Sequence, residues 1–214
     1  MSKGRLESFS DGVFAIAITL LVLTIAQPTG YADLAGQLRD RWPSFAAYAV
    51  SFGVIGIMWL NHHSIMGHIA RVDRGLAYLN MLLLMSIAFL PYPTGIFGEA
   101  LRRGDGARAA AVFYSATMAI NAYSWSALWV HASWRRRLLA DAFPESERTT
   151  ATVLFTIGAV AYTAAVGIAF LDAYACLAFH ALLALYYGLD PISRRAARVQ
   201  PAVAESREGA GGAR

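Results

Sequence analysis

Cysteine occurs once in the 214-residue chain. Cys176 lies inside an apolar segment, which leaves no disulfide framework and no paired-thiolate metal site. Charge is scarce too: 15% of residues are Asp, Glu, Lys or Arg, against roughly 25% in soluble domains. With 57% of residues hydrophobic, water is not the main solvent. Catalytic signatures are missing: there is no Gly-x-Ser-x-Gly elbow, no phosphate-cradling glycine loop and no His-Glu-x-x-His. Nothing points to an enzyme or to a cofactor. His62, His63 and His68 invite a metal reading, but His63 and His68 stand about 140° apart at about 100° per helical residue, and metal ligands must converge. No Thr-Val-Gly-Tyr-Gly-like stretch occurs, which excludes a carbonyl-lined ion filter.

What the chain does have is apolar length. A spanning helix needs about 20 mostly apolar residues, and six segments qualify: about 9–26, 44–66, 76–97, 108–132, 151–171 and 173–189. They predict an all-α integral membrane protein with six transmembrane helices in one domain, residues 1–193. The remainder, 194–214, is rich in Ala, Gly, Arg and Glu; it has too little apolar surface to fold and is expected to be a disordered cytoplasmic tail. Breaks are expected at Gln27-Pro28-Thr29-Gly30, Gly104-Asp105-Gly106 and Phe143-Pro144-Glu145, where turn chemistry concentrates.

The net charge of +4 is not a nucleic-acid footprint, because the arginines sit between apolar runs rather than along one face. It reads as orientation in a cell membrane. Cytoplasmic loops retain Lys and Arg, and a cytoplasmic N-terminus puts Lys3, Arg5, Arg71, Arg74, Arg135, Arg136, Arg137, Arg148, Arg194, Arg195 and Arg198 inside. Arg39, Arg41, Arg102, Arg103 and Arg108 then fall outside, so both termini are expected to be cytoplasmic. The Arg135–Arg137 run suits contact with anionic lipid.

The first segment runs from Arg5 through Phe9-Ser10-Asp11 to Leu23. With Ile16 as zero, Thr19 falls at about −60°, Leu20 at about +40° and Leu23 at about −20° around a helix. These four share a face over about 10.5 Å of rise. Copies of the helix around an axis would stack them into an apolar constriction with a hydroxyl layer. A branched-aliphatic stripe in a membrane helix also suits lipid contact or packing, since spanning helices are apolar all round. Ser10 and Asp11, at about +120° and −140°, point away from the stripe. An acid at membrane depth normally has a partner, and Asn61, His62, His63 and Asn80 come to the same depth. The expectation is a structural polar network of Arg5, Ser10, Asp11, Asn61, His63 and Asn80. Capping is an alternative for Ser8-x-x-Asp11, and Trp59 reads as a packing or interfacial aromatic.

The pattern Arg5-x-x-x-Phe9-Ser10-Asp11 leading into such a helix resembles the signature of the transmembrane protein 175 family, the endolysosomal potassium channels and their bacterial relatives. Trp59-Leu60-Asn61-His62-His63 and Leu79-Asn80 through Phe89-Leu90-Pro91-Tyr92 look like that family's second and third helices, so the resemblance covers about residues 5–95. It implies a homotetramer with the first helix lining a central pore, Ile16, Leu20 and Leu23 as pore lining, and Thr19 as a layer tied to potassium preference. The reading is a potassium-permeable cation channel gated and filtered by side chains, with potassium ions, lipid and further copies of itself as partners. The alternative is a proton channel or proton-coupled transporter using an Asp11–His63 relay. A membrane protein without transport activity is the third reading.

Overall fold

The computed structural model describes residues 2–134, 138–141 and 143–188. The expected tail and the Arg135–Arg137 run lie outside the described residues. Every regular element is helical: α1 Lys3–Leu20, a 3₁₀ extension Leu21–Thr24, α2 Leu34–Asp40, α3 Trp42–His68, α4 Arg74–Phe89, α5 Pro91–Arg103, α6 Ala107–Ser133, α7 Glu145–Leu171 and α8 Ala173–Gly188.

Four stretches are long and apolar enough to cross a membrane: Lys3–Thr24, Trp42–His68, Arg74–Arg103 and Glu145–Leu171. The fold is therefore all-α and of membrane type, as expected. Predicted segments 108–132 and 173–189 also form helices, α6 and α8. The first is more polar and the second shorter than those four. The polarity of α6 has a structural cause. It is the central helix, packed against α4, α5, α7 and α8, and 15 of its 27 residues are buried. Several of its polar groups find partners inside the bundle: Asn121 Nδ2 donates to Ser86 Oγ at 2.7 Å, and Trp129 Nε1 to Thr152 Oγ1 at 2.9 Å.

On α7 the threonine hydroxyls satisfy themselves locally. Thr149, Thr150, Thr152, Thr156 and Thr163 each donate to the carbonyl four residues earlier, at 2.7–3.1 Å.

The first helix starts at Lys3 rather than near residue 9, because the polar residues ahead of Phe9 continue its amphipathic turn. The third predicted segment divides at Leu90 into α4 and α5. Pro91 has no N–H and its ring clashes with the preceding turn, so it occupies the first position of a new helix. The divided chain is held on the core by Ser51, whose hydroxyl lies 2.9 Å from Thr94 Oγ1 and 3.0 Å from Tyr114 Oη. Gly104 and Gly106 take left-handed φ values of 77° and 67°, giving the turn their sequence predicts.

Helices α3 and α5 approach closely at Gly98, where an added Cβ would stand 2.8 Å from Ser44 Cα, a backbone atom. Gly98→Ala is expected to lower stability by about 1–3 kcal/mol, the usual cost of overpacking. Thermal unfolding in detergent checks this; an unchanged midpoint would mean the helices separate freely.

Two loops close one end of the bundle. Ala70 N donates to Leu138 O at 2.8 Å and Ala140 N to His68 O at 3.0 Å. Asp73 caps α4 through Leu76 N at 2.7 Å and meets His131 Nε2 at 2.9 Å.

Candidate functional site: the first helix and its polar anchor

Helix α1 has two sharply different faces. Leu6, Ser10, Phe14, Ala17 and, just beyond, Leu21 are buried against α3, α4 and the 3₁₀ turn. On the other side Ile16, Thr19, Leu20 and Leu23 are exposed, with Ile16 at 61% and Leu23 at 76%. The structure thus gathers the four stripe residues on one outward face of the subunit. Thr19 Oγ1 donates to Ile16 O at 2.9 Å, so its hydroxyl oxygen retains acceptor capacity on that face. The 3₁₀ geometry of Leu21–Thr24 tightens the last turn. Side chains three apart eclipse in such a turn, which draws Leu23 into line with Leu20.

Behind the stripe lies a directional chain of hydrogen bonds. Ser10 Oγ donates to Leu6 O at 2.8 Å and accepts from Asn80 Nδ2 at 3.0 Å. Asn80 Oδ1 lies 2.8 Å from His62 Nε2. Because Asn80 spends its amide N–H on Ser10, its oxygen must accept from His62, which fixes the imidazole with its proton on Nε2. All three side chains are buried, and His62 also packs on Phe14, ring centres 5.4 Å apart. Helices α1, α3 and α4 are pinned at one point.

Ser10 and Asn80 of the expected cluster therefore meet. The histidine between α3 and α4 is His62, which corrects the expected His63: His63 is exposed, its ring 6.3 Å from Trp59. The spacing of α3 explains this. Ile55, Met58, His62 and Ile65 form its buried stripe at three- and four-residue steps, and His63 stands about 100° off that stripe. Asp11 is exposed and accepts from Trp59 Nε1 at 2.8 Å, so it ties α1 to α3 at the margin of the buried chain. Trp59, expected to be a packing aromatic, is its specific donor. Arg5 is exposed and at about −20° shares the stripe's side of the helix rather than the network's. Asn61 faces a cavity beside α6 and α7. The capping role for Ser8 and Asp11 is overturned: α1 starts at Lys3, with Ser2 at the N-cap, and both residues sit well inside the helix. No direct Asp11–His63 hydrogen bond occurs among the described residues.

Chemically, the arrangement offers an apolar, hydroxyl-bearing surface held by a buried anchor. Among the described residues no cluster of His, Cys, Asp and Glu suited to a metal ion occurs.

Comparison with known proteins bears on the same residues. The model of the family described as "Endosomal/lysosomal potassium channel TMEM175" matches residues 5–91. A potassium channel of Streptomyces collinus is 47% identical over 193 residues, covering 89% of this chain and 93% of the relative. The human endosomal/lysosomal proton channel TMEM175 is 38% identical over 101 residues, 42% of this chain and 20% of that much longer protein. Among solved structures, a lysosomal potassium-selective channel TMEM175 homolog from Chamaesiphon minutus aligns with a TM-score of 0.79 at 37% identity, over 87% of this chain and 96% of that one.

Proposed function

The chain belongs to the TMEM175 family of ion channels and is not an enzyme, and from that premise we propose that it is a potassium-preferring cation channel whose gate and filter are side chains of α1. One observation carries the reading: Ile16, Thr19, Leu20 and Leu23 point outward from the subunit, while the opposite face of α1 is locked into its own bundle. A surface of this kind closes a lumen only when several copies meet. We assign a homotetramer, with rings of Ile16, Leu20 and Leu23 excluding water when closed and Thr19 hydroxyls meeting a partly dehydrated cation when open. Potassium is the permeant ion, and no cofactor takes part. Ser10, Asn80 and His62, with Asp11 and Trp59 beside them, hold α1 in register rather than carrying ions.

In this reading α6 and α8 complete six crossings in a cell membrane, with both termini cytoplasmic. Charge placement supports that orientation. At the end assigned to the outside, Arg102 pairs with Glu99 and Asp40 and Arg103 with Glu99, at 2.6–2.8 Å. Arg41 donates to Gln27 O at 2.9 Å. Arg41, Arg102 and Arg103 thus have partners there, as Arg148 has in Glu145 at the other end, while Arg71 and Arg74 stand exposed, available to anionic lipid.

The test is potassium efflux from liposomes holding the purified protein, with sodium and proton gradients as controls. The expected result is efflux favouring potassium. Proton flux alone, or none under any gradient, would overturn it. The human relative's name keeps a proton channel as the second reading, and Asp11→Asn separates the two. A side-chain constriction keeps potassium flux within about twofold, because asparagine still accepts from Trp59. A relay through Asp11 loses conduction.

A further inference from the structure

Helix α7 leans on α6 and α8, while α3 leans on α1, α5 and α8. Between α3 and α7 this leaves a cavity of about 390 Å³, within the range of about 300–1,000 Å³ typical of small-molecule sites. It lies away from the outward face of α1. Its α7 wall runs from Ser146 to Tyr162, 16 helical steps or about 24 Å. We propose that this cavity is a binding site for an elongated organic amine, a molecule with an apolar or aromatic body, an N–H donor within it and an ammonium at one end.

Three observations define that chemistry. At the buried end stands Asn121, fully buried and lining the cavity. Its Nδ2 is used by Ser86, but its Oδ1 has no hydrogen-bond partner among the described residues. A buried acceptor left unmatched is costly, and a ligand N–H that entered from the cavity and displaced the packing over it would match it. Along the middle, Trp125 and Phe155 stack with ring centres 6.0 Å apart and planes 7° apart, beside Trp129 and Tyr162. This aromatic wall suits flat apolar bodies and cations alike. At the mouth, Glu147 in the first turn of α7 is exposed and lines the cavity, placing a carboxylate where an ammonium would emerge. An anionic amphiphile would meet like charge there, and a bare acyl chain would leave Asn121 unmatched.

The site is independent of the channel reading, because its occupancy is read without any ion flux. The probe is dansylcadaverine, which carries a fluorophore, a sulfonamide N–H, a five-carbon chain and a primary ammonium. Trp125 and Trp129 in the wall make energy transfer to the dansyl group the signal. Titrated into the purified full chain in lipid nanodiscs, the probe is expected to give saturable transfer. Ala151→Phe, which fills the cavity from α7, removes the saturable part. Glu147→Gln weakens the amine about three- to fivefold, as expected for an exposed ion pair, and leaves the neutral N-butyl dansylamide unchanged. A signal that never saturates, or a saturable one that both variants leave intact, overturns the site by placing the probe in lipid or elsewhere on the protein. If Ala151→Phe does not elute as the wild-type assembly does, Glu147→Gln decides alone, since its side chain is at the surface.

Discussion

The double variant Ile16→Ala/Leu20→Ala is expected to raise potassium efflux from liposomes at least about tenfold, the factor for a barrier lowered by about 1.4 kcal/mol, and to reduce discrimination against sodium. Both side chains stand on the outward face of α1, 61% and 41% exposed in the subunit. Removing their branches widens two consecutive layers of the proposed lumen and admits water, and a dewetted constriction is the barrier that hydrophobic gates use. Neither residue belongs to the buried core, so the isolated subunit loses little packing. The variant should therefore assemble and melt as the wild type does while conducting more. Unchanged efflux from a correctly assembled double variant would show that the stripe faces lipid or a neighbouring helix, and the channel path would have to be sought elsewhere.

Asn80→Ala is expected to act in the opposite sense, on stability first. Asn80 is the only side chain in the buried chain that touches both α1 and α3: it donates to Ser10 at 3.0 Å and faces His62 at 2.8 Å. Truncation leaves the His62 N–H and one Ser10 lone pair unmatched. An orphaned buried group costs about 1–3 kcal/mol, but measured bonds within membranes average nearer 0.6 kcal/mol, because partners are found in the unfolded state too. Together these give a loss of about 2 kcal/mol. The midpoint of thermal unfolding in detergent should fall, and efflux should fall with it as α1 loses its register. A melting point equal to wild type would remove Asn80 as the anchor.

How much of this was legible beforehand depended on the kind of signal. All six apolar segments form helices because bulk hydropathy is additive and local. The α1 stripe was legible for a similar reason: one helix, one phase. The polar anchor was half legible. Ser10 and Asn80 were placed by depth alone, but choosing between His62 and His63 required knowing which side of α3 is buried. That information was present in the spacing of Ile55, Met58 and Ile65 around His62. Trp59 escaped because an interfacial tryptophan and a specific indole donor look alike in sequence. Their difference lies in whether a carboxylate arrives from another helix, and here Asp11 does. Arg5 does not join Ser10 because the five steps between them turn the helix by about 140°, which leaves Arg5 exposed. The division at Leu90 was masked by apolar residues running through the Pro91 break, and α6 showed its polarity without showing which of its polar groups would be matched from other helices.

The self-satisfied hydroxyls of α7 bear on how such a protein is assembled in the cell. Each threonine returns its proton to its own helix, so α7 can leave the insertion machinery and rest in lipid as a lone helix without an unmatched threonine hydroxyl. Helix α4 has no such freedom. Asn80 is complete only when α1 and α3 are already beside it, and the cost of an unmatched amide in hydrocarbon favours release of the first three crossings as a group. Biogenesis would thus proceed as a cooperative N-terminal unit that carries the proposed ion path, followed by a helix able to wait for its neighbours.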